Sequence, residues 1–528
     1  MDKLTSIPLA TEDEGSNMES GAAVAHVEVE MTETDVDSRD KEKLHLLNGH
    51  KASASVKYDS SSNGESDSES DGEGQVKVVK NNMKILIISA VLGNILEWYD
   101  FGVFASFSTE LSKAFFTGGR LEEMLKVYGV FASAFFARPL GGFLLGLIGD
   151  KFARTLSLQI SVVAMGMSAL FISVLPTNTV GSYKIGPVAT FLLVGARIVQ
   201  GLSTGGEMVG TMLYMVENVP ETAKCFVSAI PLASAIAGTG TGYLVSAIIT
   251  AVMSEENRVL YGWRIAFFLG VPAGAVGFLF RTCLSESHSF SEASKKFAKK
   301  HGNQHPFFYA VKHCTAPLVT ILFLCMLVCG YYSGTTWYNE AWLEEFYTEL
   351  IGEDKKLDKL EGRTINTILL FGGLSLGTLG AAYFVDRHPK IPLHSYLVFS
   401  STSLIFLSPL ALWLMARGKD DIMLVVLGQA VSISVFTFTV GILALWLTTE
   451  FPPTLQYTSI ALSYNVAQCI FGGTMPYIST QISTKADNVL APSYYVSALA
   501  FMGAVAMLAT RMKSVREMHG RLHHIMNS

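Results

Sequence analysis

The sequence predicts an all-α integral membrane protein with 12 transmembrane helices in two six-helix halves. Three observations carry this. Only 16% of the 528 residues are charged, 50% are hydrophobic, and the mean hydropathy is +0.36. A soluble domain is about a quarter charged. Apolar runs recur from Met83 onward with short polar breaks, and each is long enough to cross the ~30 Å hydrocarbon layer as a helix of ~20 residues. Finally, two short polar motifs recur at a nearly constant offset, so the second group of spans echoes the first.

The first 82 residues differ from the rest. Residues 1–80 hold 18 acidic and 8 basic side chains, a balance of −10, whereas the whole chain is −6. The remainder is therefore +4. The run Ser60–Asp71 has no core-forming residue and cannot bury enough apolar surface to offset chain entropy. It reads as a solvated, disordered, acidic Ser-rich tail whose serines beside acids also suit phosphorylation. It resembles neither an Arg-rich transit peptide nor a cleavable signal.

The predicted spans lie near 84–107, 127–148, 156–176, 188–216, 225–251, 263–282, 316–346, 364–384, 392–416, 422–449, 457–482 and 492–511. Their lengths suit helices rather than membrane β-strands. With the N-terminus inside, the inner segments and span ends carry 18 basic residues and the outer ones 13. That bias puts both termini in the cytoplasm, with the plasma membrane the expected location. The segment 283–315 is a basic cytoplasmic loop. It separates a bundle at 83–282 from one at 316–512, and 513–528 is a short cytoplasmic tail.

The halves match in detail. Gly149-Asp150-Lys151 after span 2 parallels Val385-Asp386-Arg387 after span 8, an offset of 236 from Asp150 to Asp386. Glu217-x-x-Pro220 after span 4 parallels Glu450-x-x-Pro453 after span 10, an offset of 233 from Glu217 to Glu450. Asp150, Lys151, Arg154, Glu217, Asp386, Arg387 and Glu450 are accordingly expected to form a cytoplasmic gate.

Charge at membrane depth is costly and marks function. Span 1 carries Asn94, Glu97 and Asp100, which wind slowly around one side of a helix. A buried carboxylate able to exchange a proton suits proton coupling; a structural pair with an arginine is the alternative. Span 2 carries Arg138, and span 4 carries Arg197, Gln200, Thr204 and Glu207. A guanidinium there either pairs with the span 1 acids or clamps a substrate carboxylate. The second half reads as aromatic and amide-rich rather than charged, with Tyr331, Tyr332, Trp337, Tyr338 and Asn339 in span 7 and Tyr464, Asn465 and Gln468 in span 11. Such a wall suits a cation–π site or an interfacial aromatic belt. Asn94, Glu97, Asp100, Arg138, Arg197, Gln200, Glu207, Tyr331, Asn465 and Gln468 are the candidate substrate and proton residues.

The six cysteines show neither metal-ligand spacing nor a disulfide framework. No metal, cofactor or nucleic acid is expected. Nucleophile triads and phosphate loops are also missing, so an enzyme is not expected.

These residues resemble the metabolite:proton symporter family of the major facilitator superfamily. Gly93-Asn94-Ile95-Leu96-Glu97-Trp98-Tyr99-Asp100-Phe101 is similar to its span 1 motif, and Arg138-Pro139-Leu140-Gly141-Gly142 to its span 2 motif. Gly146–Lys151 is similar to the superfamily's loop 2–3 motif. Gln200–Glu207, Gly262-Trp263-Arg264, Tyr464-Asn465 and Phe471–Pro476 continue the likeness, which covers about 84–512. The resemblance implies the major facilitator fold, a site between the halves, alternating access, and symport of a small organic metabolite with a proton. Proline or betaine, 2-oxoglutarate and citrate are the substrate types it suggests. A facilitative uniporter and a non-transporting sensor remain the alternatives at this point. The partners expected are a small molecule, a proton and the lipid bilayer, with the chain as a monomer. Four positions depart from the pattern: Ala153 and Thr155 in loop 2–3, and Thr454 and Gln456 after span 10. They leave the gate with fewer ion pairs. The short C-terminus shows no sustained heptads, so an osmosensing coiled coil is not expected.

Overall fold

The computed structural model describes residue 88 and residues 91–527, apart from 152–153, 179, 181–183, 218, 220, 283–294, 296, 298, 303, 344–358, 419–420 and 487. The acidic tail, most of the basic central segment and much of loop 7–8 lie outside the described residues. Within them the chain is helical. Spans 1 to 12 become α1 to α12: 91–106, Arg120–Lys151, Arg154–Val174, Pro187–Glu217, Lys224–Val252, Arg258–Thr282, Thr315–Trp342, Lys359–Arg387, Leu393–Arg417, Ile422–Glu450, 456–485 and Ala491–Ala509. Ten described helices meet the length and hydropathy that crossing a membrane requires. The described part of α1 is shorter, and α11 is interrupted by a π-turn at Gln468–Gly472.

Apolar helices associate where small residues let their backbones touch. The glycine-rich stretch of α4 meets α2 in this way: a methyl group at Gly201 would collide with the Ala134 carbonyl, and one at Gly141 with the Leu202 carbonyl. Gly238 of α5 lies against the Ile95 carbonyl of α1 in the same manner. The first half closes further where α3 packs on α6 and the Tyr99 hydroxyl donates to the Ala266 carbonyl at 2.7 Å. In the second half α9 packs on α10 and α12, and α7 on α12. Exposed side chains such as Phe136, Phe191 and Phe406 point outward from the bundle, where the hydrocarbon would cover them.

The halves meet through α5 against α8 and α10, and through α2 and α4 against α11. Trp337 of α7 wedges among rings of the first half, 5.8 Å from Trp98, 4.9 Å from Phe131 and 5.2 Å from Phe135. In α7, α8 and α11 the helix widens to π-turns at Tyr338–Trp342, Leu369–Ser375 and Gln468–Gly472. Such π-turns often accompany functional sites.

After α12 the chain forms an amphipathic helix, α13 (Lys513–Asn527), where the sequence suggested only a short tail. It docks Leu522 and Met526 into the core.

Candidate functional site

The acids of α1 and the arginines of α2 and α4 come together, as their placement in the sequence implied. Asn94, Glu97 and Asp100 are buried, as are Arg138, Arg197, Gln200 and Glu207. Arg138 donates from Nε to Asn465 Oδ1 at 3.3 Å, and its Nη2 stands 3.8 Å from Glu97 Oε1. Its guanidinium lies 5.1 Å from the Trp98 ring centroid and 5.5 Å from that of Phe135. Arg197 donates to Gln200 Oε1 at 2.7 Å; Gln200 in turn donates to Asp100 Oδ2 at 3.3 Å. The Arg197 guanidinium stacks 4.8 Å from Phe101 and 4.3 Å from Phe104. Both arginines keep nitrogens without a hydrogen-bond acceptor: Nη1 and Nη2 of Arg138, and Nε and Nη2 of Arg197.

Glu207 accepts from the Ser161 hydroxyl of α3 at 2.5 Å. Glu97, Asp100 and Glu207 line one cavity of about 20 Å³, walled by Gly93, Gly166, Gly270 and Gly274 among others. That is room for about one water molecule, so the three carboxylates share a space through which a proton can pass between them.

Two amides of α11 tie the second half to this cluster. Asn465 accepts from Arg138 and donates to the Gly205 carbonyl at 2.5 Å. Gln468 accepts from Trp337 Nε1 at 3.2 Å and donates to the Tyr464 hydroxyl at 3.0 Å. Tyr331 is not brought in. Its hydroxyl lies 3.3 Å from Ser400 Oγ and accepts from Thr439 at 3.2 Å, both within the second half.

The expected gate residues are described in part. The side chains of Asp150, Lys151 and Arg154 lie outside the described residues. Asp386 accepts from the backbone amides of Cys225 and Phe226 at 3.1 and 2.8 Å. It caps the start of α5, where the first-turn amides have no intrahelical partner, so it fastens the halves through backbone amides. Tyr457 of α11 adds a bond to the Gly206 carbonyl at 2.9 Å. The Arg387 guanidinium lies over the Tyr383 ring at 5.0 Å. Glu217 is half-buried at the end of α4. Glu450 lines a cavity of about 590 Å³ with His394, Arg511, Arg516 and His519, against α13.

Sequence reasoning missed buried charge in the second half, which it read as aromatic and amide-rich. Glu340 in α7 and Arg363 in α8 are each 1% exposed. Arg363 crosses to the first half, donating to Glu110 Oε2 at 3.1 Å and to the Ser106 carbonyl and Thr250 hydroxyl. Arg258 reaches the same carboxylate at 3.3 Å. Glu340 had a signal, being an acid inside the predicted span 7. Arg363 lies one residue before the predicted span 8, and nothing local distinguishes it from a solvated loop arginine.

Comparisons with known proteins agree with this architecture. The family described as "Sugar (and other) transporter" matches residues 86–306. A "Putative proline/betaine transporter" of Staphylococcus aureus (strain MSSA476) is 28% identical over 445 residues, covering 81% of this chain and 89% of that protein. The "Proline/betaine transporter" of Salmonella typhimurium is 27% identical, covering 82% and 84%. Among solved structures, the proton:xylose symporter XylE of E. coli superposes with a TM-score of 0.64 at 16% identity, covering 82% of this chain and 95% of that one. At that identity the likeness speaks for the fold. The twelve-span, two-half bundle is thus the major facilitator fold. The family match and the named relatives support a multi-pass membrane transporter of this fold rather than an enzyme.

Proposed function

We propose that the chain is a proton-coupled symporter of a small organic metabolite, working by alternating access between its halves. The observation that carries this is the shared cavity of Glu97, Asp100 and Glu207 beside two buried arginines. Three carboxylates crowded at membrane depth cannot all stay ionised cheaply. Binding and release of a proton there changes how tightly Arg138 and Arg197 are held. Their spare nitrogens suit a substrate carboxylate, which Arg binds in a planar fork.

The names of the sequence relatives favour a proline- or betaine-like zwitterion over 2-oxoglutarate or citrate. In this reading 83–282 and 316–512 are the two rocking bundles. Asp386 and its neighbours fasten the cytoplasmic end, and the Glu110–Arg363 pair fastens the outer end. Both termini face the cytoplasm of a plasma-membrane carrier that acts as a monomer.

Uptake of labelled proline, betaine, 2-oxoglutarate and citrate into proteoliposomes, with and without an inward proton gradient, tests the proposal. The expected result is accumulation of one solute class only with the gradient. Transport at the same rate and extent without the gradient would show a uniporter instead.

A further inference from the structure

Glu340 is the buried acid that the symport cluster does not use. It sits in the π-turn Tyr338–Trp342 of α7, 1% exposed. Neither carboxylate oxygen meets a hydrogen-bond donor at bonding geometry, although the Thr239 hydroxyl of the first half interacts with it from across the interface. Arg363 on the neighbouring α8 directs both Nη nitrogens to Glu110, Thr250 and Ser106, and only its Nε is left without an acceptor.

The surrounding amides are turned the same way. Asn339 donates its nitrogen to the Thr335 carbonyl at 2.7 Å and leaves Oδ1 without a donor. Gln429 donates to Asn366 Oδ1 at 3.0 Å and leaves Oε1 without a donor. Asn366 itself donates to the Glu340 carbonyl at 3.2 Å, so it links Gln429 to the Glu340 backbone. In Asn339 and Gln429 alike a donor is used and the oxygen is left over. A buried acceptor without a donor is costly, and a buried carboxylate more so. The first half differs in that its buried carboxylates have guanidinium groups beside them, Glu97 standing 3.8 Å from Arg138, and those arginines keep nitrogens without an acceptor.

We propose that Glu340, with the side-chain oxygens of Asn339 and Gln429, binds the cationic end of the transported solute, a primary or secondary ammonium that carries N–H donors. The assignment rests on the symport reading above and names its substrate class. A quaternary ammonium has no N–H and would leave the acceptors unmet. A dicarboxylate would set a second anion against Glu340. Trp337, which packs on the same rings as Arg138, precedes Glu340 by three residues, a helical rise of about 4.5 Å.

The test uses the full chain in nanodiscs and measures binding of proline, N-methylproline, N,N-dimethylproline and cyclopentanecarboxylate. The expected affinity of the wild type falls about tenfold or more as the N–H donors are removed, the scale of a hydrogen bond to a charged group. Glu340→Gln should lose about tenfold or more on proline while binding cyclopentanecarboxylate as the wild type does, and Glu340→Asp should keep the preference for the amine. Should Glu340→Gln fail to fold, the methylation series on the wild type decides alone. Several results would overturn the assignment: a wild type that ignores the N–H count or does not bind proline, or Glu340→Gln binding proline normally. The last, combined with loss of gradient-driven uptake in proteoliposomes, would make Glu340 a proton site. The symport reading fails separately, if proline is taken up without regard to the gradient while the affinity order holds.

Discussion

At the residue scale the site is a set of charges whose partners decide their use. Glu97 and Asp100 are close on α1 yet face different arginines: Glu97 meets Arg138, whereas Asp100 is reached through Gln200 beside Arg197. Their adjacency was legible in the sequence, because i and i+3 share a helix side. Which arginine each would face was not, because that depends on how α2 and α4 pack. Replacing Glu97 by Gln together with Asp100 by Asn should cut gradient-driven accumulation about tenfold or more, on the scale of a lost general acid–base group, while substrate exchange without a gradient persists. Parallel measurement of counterflow and gradient-driven uptake checks this; intact gradient-driven uptake in the double variant would sink the assignment.

At the element scale two helix pairs carry separate predictions. The α2–α4 contact is built on glycine, so Gly201→Val should overpack it and cost about 1–3 kcal/mol. Thermal melting of the purified protein reads this as a lowered midpoint, and an unchanged midpoint would contradict the close approach at Ala134. The second pair is α13 against the membrane bundle. Burial and the neighbouring His519 hold His523 below the ordinary imidazole value. Its neutral form therefore suits the docked helix. The sign follows: docking is fully favourable above about pH 6.5 and weakens as pH falls through that value, where the released helix gains a proton that the docked one resists. Amide exchange across 513–527, corrected for intrinsic rate, should be faster at pH 5.5 than at pH 7.5, and His523→Phe should flatten that difference. The amphipathic character of α13 is written in its residues, but its docking surface beside Glu450 and His394 comes from distant segments.

At the scale of the whole molecule the halves are joined at both ends. Arg363 bridges to Glu110 near loops 1–2 and 7–8, and Asp386 bridges to the start of α5 at the opposite end. Removing one partner of a buried pair leaves an uncompensated charge and costs about 3–5 kcal/mol, of which Arg258 offsets part here. Arg363→Gln should therefore speed amide exchange in Ser108–Phe115 and Lys359–Ile368 while sparing the start of α5. Asp386→Asn should do the reverse. Equal effects of both variants at both ends would show that the two fastenings are not independent.

The sequence alone determined the spans, the two-half repeat and the crowding of charge in α1, α2 and α4, because hydropathy, helical period and motif offset are local properties. It also contained Glu340, an acid in an apolar run, without showing that its carboxylate meets no salt-bridge partner among the described residues. Tertiary structure decided the pairings: Arg363 as a bridge rather than a loop residue, Asp386 as a cap on α5, and Tyr331 turned toward Ser400 rather than the charged cluster. Each depends on which helix faces which. In a membrane bundle that choice is made by glycine contacts and buried hydrogen bonds between segments far apart in the sequence, which no local pattern encodes.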